Sequence, residues 1–334
     1  MTTADPVLAR RTPGEGVLQH LRNSPAAVAG IGVLLLILLG FSLLRPEIFP
    51  TVDNTQVILN QTAVAAIVAG AVSISLVAGQ YDLSVGAVVG LAGVVTAEVV
   101  NTGAPWPVAV LAACATGAGV GLLNGGIVTG LRVPSIVTTL GTQTVLLGVI
   151  SWTTGNIYIR LESPAMSVFA RGSLLGIPNT AWVMFGVCIA GALLMRYVVA
   201  GRNIHAVGRS PEASRLAGVS VAGYTVLALV ATGMLAALAA VVLTAQLNSG
   251  HPEVSGGYLL PAFAAAFLGA AVSRTGTASF MGALYGALLL QCLTNGLVVL
   301  DAPSWSQQLV QGTILVLAVA VSQAARLRAR RGRA

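Results

Sequence analysis

The sequence predicts an all-α polytopic membrane protein of about ten transmembrane helices, and three observations carry that prediction. Uncharged apolar stretches of close to 20 residues recur along the chain. A hydrocarbon core about 30 Å thick takes roughly 20 apolar helical residues to cross. Of the 334 residues, 56% are hydrophobic and only 8% charged, with a mean hydropathy of +0.87. Soluble domains carry about 25% charge, so this chain lacks the polar residues to cover a water-soluble core. Finally, the arginines gather at alternate ends of the apolar stretches.

The candidate spans cover 26–44, 57–78, 84–100, 107–128, 135–154, 180–199, 221–244, 258–273, 279–299 and 307–325. The first follows Arg10, Arg11 and Arg22; it is too long for a signal-peptide core and no small-x-small cleavage site follows it, so it reads as an uncleaved helix. The second ends at a turn beginning with Gly79, from which the third departs after Asp82. The fourth carries Gly117, Gly121 and Gly125 at four-residue spacing, which allows close helix approach in lipid. Arg132-Val133-Pro134 separates it from the fifth. The segment from Gly155 to Pro178 then has room for a short surface helix before the sixth. The eighth is short, and with the third, which holds Glu98, it is the least regular; nine spans or one re-entrant segment is the alternative count. The ninth repeats the small-residue spacing at Gly282 and Gly286, and the tenth runs into a basic tail.

Arginine positions orient this array. With the N-terminus inside, fourteen of the seventeen arginines fall on the cytoplasmic side, and only Arg45, Arg160 and Arg171 face out. The chain therefore divides into a cytoplasmic arm (1–25), a transmembrane domain (26–325) and a basic cytoplasmic tail (326–334). The largest internal loop, 200–220, is expected to hold a short helix outside the lipid. Ser210 is placed to cap it, Pro211 occupies its first position, Glu212 lies in its first turn, and Gly218 stops it.

Several function classes fall away. The net charge of +7 resides in loops and tail without aromatic interleaving, which fits membrane orientation rather than nucleic acid. Cys114, Cys188 and Cys292 are scattered in apolar runs, and His20, His205 and His251 form no metal or nucleophile pattern. No GxxxxGK[ST] loop is present, so ATP-driven work would need a motor on another polypeptide. Asp82 reads either as a helix N-cap or as a gating or subunit-contact group. Asn60, Gln61, Asn124, Thr142, Gln143 and Asn295 interrupt apolar runs and are candidate path residues for a neutral, hydroxyl-rich solute, or simply interhelical bonding groups. A weak internal echo relates the turn at 79–90 to that at 276–286.

The string Gly79-Gln-Tyr-Asp-Leu-Ser-Val-Gly86 closely resembles the GG-x-DLSVG signature of ribose/xylose-type sugar ABC transporter permeases, in the branched-chain amino acid/ribose permease superfamily. Gly201-Arg-Asn-Ile-His-Ala-Val-Gly208 with Pro211-Glu-Ala-Ser-Arg-Leu-Ala-Gly218 is similar to that family's cytoplasmic loop. Asn124-Gly125, Gly257-Tyr258 and Asn295-Gly296 also fit, whereas Gln80, Tyr81 and the segment 269–276 depart from the pattern. The resemblance implies a type II ABC importer permease fold in the bacterial inner membrane, with both termini cytoplasmic. It implies a second permease subunit (homo- or heterodimer), cytoplasmic ATP-binding subunits and an external solute-binding protein. The chain itself would be no enzyme and hold no cofactor, ATP being used by the partner. The loop helix would be a coupling helix, and Arg202, Arg209, Glu212, Ala213, Arg215 and Leu216 its ATPase-facing residues. The implied cargo is a monosaccharide, the alternatives being autoinducer-2 or nucleosides; a non-transporting scaffold is the reading from another class.

Overall fold

A computed structural model describes residues 25–273 and 276–331. The N-terminal arm with Arg10, Arg11, His20 and Arg22, the loop residue Arg274 and the tail residue Arg333 lie outside the described residues.

Each of the ten spans read from the sequence is a helix. They are α1 (Pro25–Leu44), α2 (Val52–Val77), α3 (Val85–Asn101), α4 (Trp106–Gly130) and α5 (Ser135–Thr154) in the first half. The second half contributes α7 (Asn179–Tyr197), α10 (Val221–Leu247), α11 (Ser255–Val272), α12 (Phe280–Val299) and α13 (Ser304–Arg331). Among the described residues, seven helices are long and apolar enough to cross a membrane, while Val28–Leu44 and Val85–Asn101 are shorter apolar stretches. Helix α2 begins five residues before the predicted span. Thr51 caps it by accepting the Asn54 N–H at 3.2 Å, and Asp53 sits in its first turn, so polar residues that carry no hydropathy signal are helical.

The centre of the bundle is α2, α3 and α10. Some 72% of the apolar window of α2 and 61% of that of α10 is buried, against 22% for α4, α5 and α7. A continuous cluster of small and β-branched side chains, including Val64, Ile67, Val68, Val88, Ala92, Ala236 and Ala240, joins these elements. Without a hydrophobic drive between helices in lipid, backbone approach supplies the dispersion energy. The predicted ladder does this. A Cβ at Gly117 would collide with the Gly233 carbonyl on α10, one at Gly121 would lie 2.5 Å from the Leu229 oxygen, and one at Gly125 2.9 Å from Val226 Cα. Gly86 and Gly90 of α3 meet Ser255 at the start of α11, and Gly282 and Gly286 of α12 meet Gly269 and Ala265 of α11. On the outer rim, Tyr285 of α12 donates its hydroxyl to the Gly30 carbonyl of α1 at 2.7 Å.

The connections hold the remaining elements. Between α5 and α7 lie β1 (Ile159–Arg160), the short helix α6 (Ala165–Arg171), β2 (Ser173–Leu174) and β3 (Ile177–Pro178). The expected surface helix is thus present. Strand β1 pairs antiparallel with β4 (Ser249–Gly250), tying this segment to the end of α10, while β2 and β3 form a hairpin. Between α7 and α10 stand two helices rather than one: α8 (Val199–Arg209) and α9 (Pro211–Leu216). The sequence reading placed α9 and overlooked α8. Helix α8 is amphipathic, burying only Gly201, Ile204 and Val207 while its arginines stay outside, so it leaves no hydropathy maximum.

Candidate functional site

The turn between α2 and α3 is the most elaborately bonded part of the chain. Gly79 takes a positive φ of 76° as α2 ends, and the Gln80 N–H reaches back to the Ser75 carbonyl at 2.9 Å. That left-handed turn suits glycine because no Cβ crowds the carbonyl. Asp82 follows, only 1% exposed. Its Oδ1 accepts the Ser84 N–H at 3.0 Å and the Ser84 hydroxyl at 2.5 Å. Ser84 Oγ in turn accepts from Asn124 Nδ2 of α4 at 2.9 Å, and Asn124 Oδ1 accepts from Thr142 Oγ1 of α5 at 2.6 Å. Two further bonds fasten the turn to α5. The Tyr81 N–H donates to Ser135 Oγ at 3.1 Å, and the Leu83 N–H to Thr139 Oγ1 at 3.0 Å. A buried charge or amide in low dielectric is tolerated when such partners satisfy it. Ser84 occupies the N-cap position of α3 and makes no side-chain cap bond; Asp82 stands two residues before it.

The same turn supports the loop elements. Gly208 of α8 packs so closely that a Cβ there would overlap the Val77 carbonyl, and Gly79 faces the Gly208 backbone. Helix α9 follows immediately. Ser210 caps it by accepting the Ala213 N–H at 3.3 Å. Glu212 lies in its first turn and Arg215 in its last, matching the signs of the helix dipole. Glu212, Ala213 and Arg215 are exposed, as are Arg202 and Arg209 of α8, and Leu216 is 87% exposed.

The six polar path candidates separate into two groups. Asn124 and Thr142 join the Asp82 network, with Gln143 half-buried on the adjoining turn of α5. Asn60, Gln61 and Asn295 lie in the other half of the bundle, where α2 meets α7, α10 and α12. Asn60 Oδ1 accepts from Thr180 at 2.6 Å, and its carbonyl accepts from Gln246 Nε2 at 2.9 Å. Gln291 donates to Gln61 at 2.6 Å, on an exposed stretch of α2. Asn295 is 6% exposed, and its Oδ1 has no partner among the described residues. Ser135, Thr180 and Gln246 were not singled out from the sequence. Their partners lie 54, 120 and 186 positions away, so no spacing could reveal them.

A bundle of helices long and apolar enough to cross a membrane, with a bonded turn at its heart and a two-helix platform on one end, defines a polytopic membrane protein. The comparison with known proteins agrees with that class. The chain belongs to the family described as the permease component of branched-chain amino acid transport systems, which matches residues 54–319. It is 35% identical over 294 residues to the ribose import permease protein RbsC of Escherichia coli K12, covering 86% of this chain and 91% of that one. It is 28% identical to the L-arabinose ABC transporter permease protein AraH of Azospirillum brasilense, over 96% and 93% of the two chains. The autoinducer 2 import system permease protein LsrC of Photorhabdus luminescens is also 28% identical, over 90% of each chain. No solved structure matches the chain.

Proposed function

We propose that this protein is the membrane-spanning permease subunit of an ATP-binding cassette importer that carries a monosaccharide of the ribose or xylose type. The observation behind the proposal is its likeness, over most of both chains, to permeases named for ribose and arabinose import. Apart from Asp82, the side chains that bond between helices inside the bundle are amides and hydroxyls rather than paired charges, which suits a neutral polyol. The likeness to an autoinducer-2 permease supports a second cargo reading. In this scheme a second permease copy or relative completes the path, a separate subunit hydrolyses ATP, and an external binding protein delivers the solute. Both termini face the cytoplasm, with 1–25 as the arm, 26–325 as the transmembrane domain and 326–334 as the basic tail. The α8–α9 pair is the coupling element, with Arg202, Arg209, Glu212, Ala213, Arg215 and Leu216 on its outer face, and Asp82 serves gating or subunit contact.

The deciding experiment is reconstitution of the permease in liposomes with its ATPase and binding protein. Labelled ribose, xylose, arabinose, autoinducer-2 and adenosine are then offered in turn. ATP-dependent uptake of a pentose is the expected result. Uptake of autoinducer-2 alone would move the cargo to the second reading, and uptake of none, with all subunits assembled, would defeat the importer assignment.

A further inference from the structure

Between the ends of α2 and α7, the helix α8 and the first turn of α12 lies an open pocket of about 450 Å³. Its inner wall is apolar, made by Ile74, Val77, Ala192, Met195 and Phe280. Its remaining lining includes Arg196, Arg202, His205 and Arg209, and no carboxylate. Among the described residues the one ion pair joins Arg45 to Asp301, elsewhere in the chain, and none of these three arginines pairs with a described carboxylate. The N-terminal end of the 20-residue helix α12, capped by Ser279, also borders the pocket and adds the positive end of its dipole. Arg196 closes α7 and Arg202 lies in the first turns of α8, so the basic groups stand where the chain leaves the apolar helix for the amphipathic one.

Three arginines with no carboxylate partner among the described residues line this one cavity, Arg196 also standing over the Tyr197 ring at 5.3 Å, and their shared positive charge favours an anion. A guanidinium matches a phosphate with two parallel hydrogen bonds. A soluble anion would need only the basic rim; it has no use for an apolar wall. An anionic phospholipid uses both, its phosphate among the arginines and the first carbons of its acyl chains against the partly exposed Val77, Ala192 and Met195. Basic pockets between helices at a membrane surface are where such headgroups are held.

We propose that this pocket is a binding site for an anionic phospholipid, phosphatidylglycerol or cardiolipin, whose phosphate bridges Arg196 to the arginines of α8. The inference goes beyond the transport reading and does not depend on the cargo. Because Arg202 and Arg209 also belong to the proposed coupling surface, a lipid held here would brace α8 against α7 and α12.

The test uses the full-length permease in phosphatidylcholine nanodiscs doped with cardiolipin or phosphatidylglycerol, read by native mass spectrometry of retained lipid. The wild type should retain the anionic lipid over phosphatidylcholine. Arg196→Gln should weaken retention about fivefold, the worth of roughly 1 kcal/mol per arginine near a membrane surface. Ala192→Trp, which fills the apolar wall, should weaken it while leaving the charges in place. Arg132→Gln, an exposed arginine outside the pocket, should have no effect. Equal losses in Arg196→Gln and Arg132→Gln would overturn the proposal, as nonspecific attraction. Displacement of the lipid by millimolar inorganic phosphate would assign the site to a free anion instead. Crosslinking of Arg196 to an acidic segment of the ATPase, with lipid retention unchanged by the variants, would assign it to that subunit.

Discussion

Asp82 and Asn124 take part in one hydrogen-bond chain but do different work in it. Asp82 only accepts, from the Ser84 N–H and hydroxyl. An asparagine at that position can present the same carbonyl oxygen, so Asp82→Asn keeps the bonds and removes the charge. Asn124 both donates and accepts, joining Ser84 on the turn to Thr142 on α5. Truncating it leaves two buried hydroxyl groups each short of a partner. Asn124→Ala should therefore lower stability in detergent by about 1–2 kcal/mol, seen as a reduced midpoint of thermal unfolding. Asp82→Asn should unfold near the wild-type temperature yet slow ATP-dependent uptake, if the carboxylate serves gating. Wild-type uptake by Asp82→Asn would confine the residue to a structural role. The sequence singled out both residues by their polarity in apolar surroundings. That they act through one serine could not be read, because residues 84 and 124 meet only when α3 and α4 pack side by side.

At the scale of elements, the packing of α4 on α10 gives an internally controlled prediction. Gly121 lies against the Leu229 carbonyl, whereas a Cβ at Gly126, on the same helix, meets nothing within 4 Å. Gly121→Leu should separate the two helices and lower the yield of folded protein, at an overpacking cost of ~1–3 kcal/mol. Gly126→Leu should fold like the wild type. Equal yields, measured by fluorescence-detected size exclusion, would show that this glycine face does not depend on close contact. The α8–α9 platform is tested by charge reversal. Glu212 is exposed, and among the described residues its carboxylate bonds to nothing that its loss would unsatisfy. Glu212→Arg should leave expression and insertion intact, weaken co-purification of the ATPase and abolish transport. Transport at the unmutated rate with the ATPase bound would move the coupling contact elsewhere, Arg132-Val133-Pro134 being the next internal loop to try. Helix α9 was legible because its cap, its proline and its stop are local signals. Helix α8 was not, since its buried stripe of Gly201, Ile204 and Val207 has meaning only against the ends of α2, α7 and α10.

For the whole molecule, the arginine distribution predicts that the α6 region and the α8–α9 platform lie on opposite sides of the membrane. Labelling sites must be chosen by exposure. Ser167 and Ser214 look suitable in sequence but are 4% and 5% exposed, so neither would report sidedness. Leu175, 86% exposed in the outer hairpin, and Ala217, exposed at the end of α9, are better placed. In a background lacking the three native cysteines, Leu175→Cys should react with an impermeant maleimide added to intact cells. Ala217→Cys should react only after the membrane is opened. The reverse pattern would end the ten-span assignment.

The sequence alone determined the positions and order of the ten apolar helices, their membrane setting and the class of protein. Hydropathy, charge asymmetry and capping residues are properties of neighbours along the chain, and they survive without a fold. It also singled out some of the packing glycines, Gly117, Gly121 and Gly125 among them, because four-residue spacing is the spacing of one helix face, whereas their partner Gly233 and the tightly packed Gly208 and Gly269 emerged only in the fold. Only the tertiary structure decided which helices are central, what the polar side chains bond to, and that the candidate path residues form two groups instead of one. Asn60 with Thr180, Gln61 with Gln291 and Asn124 with Ser84 are brought together by packing across the bundle. A hydrogen bond forms over about 3 Å whatever the separation in sequence, and no periodicity along a single helix encodes its partner on another.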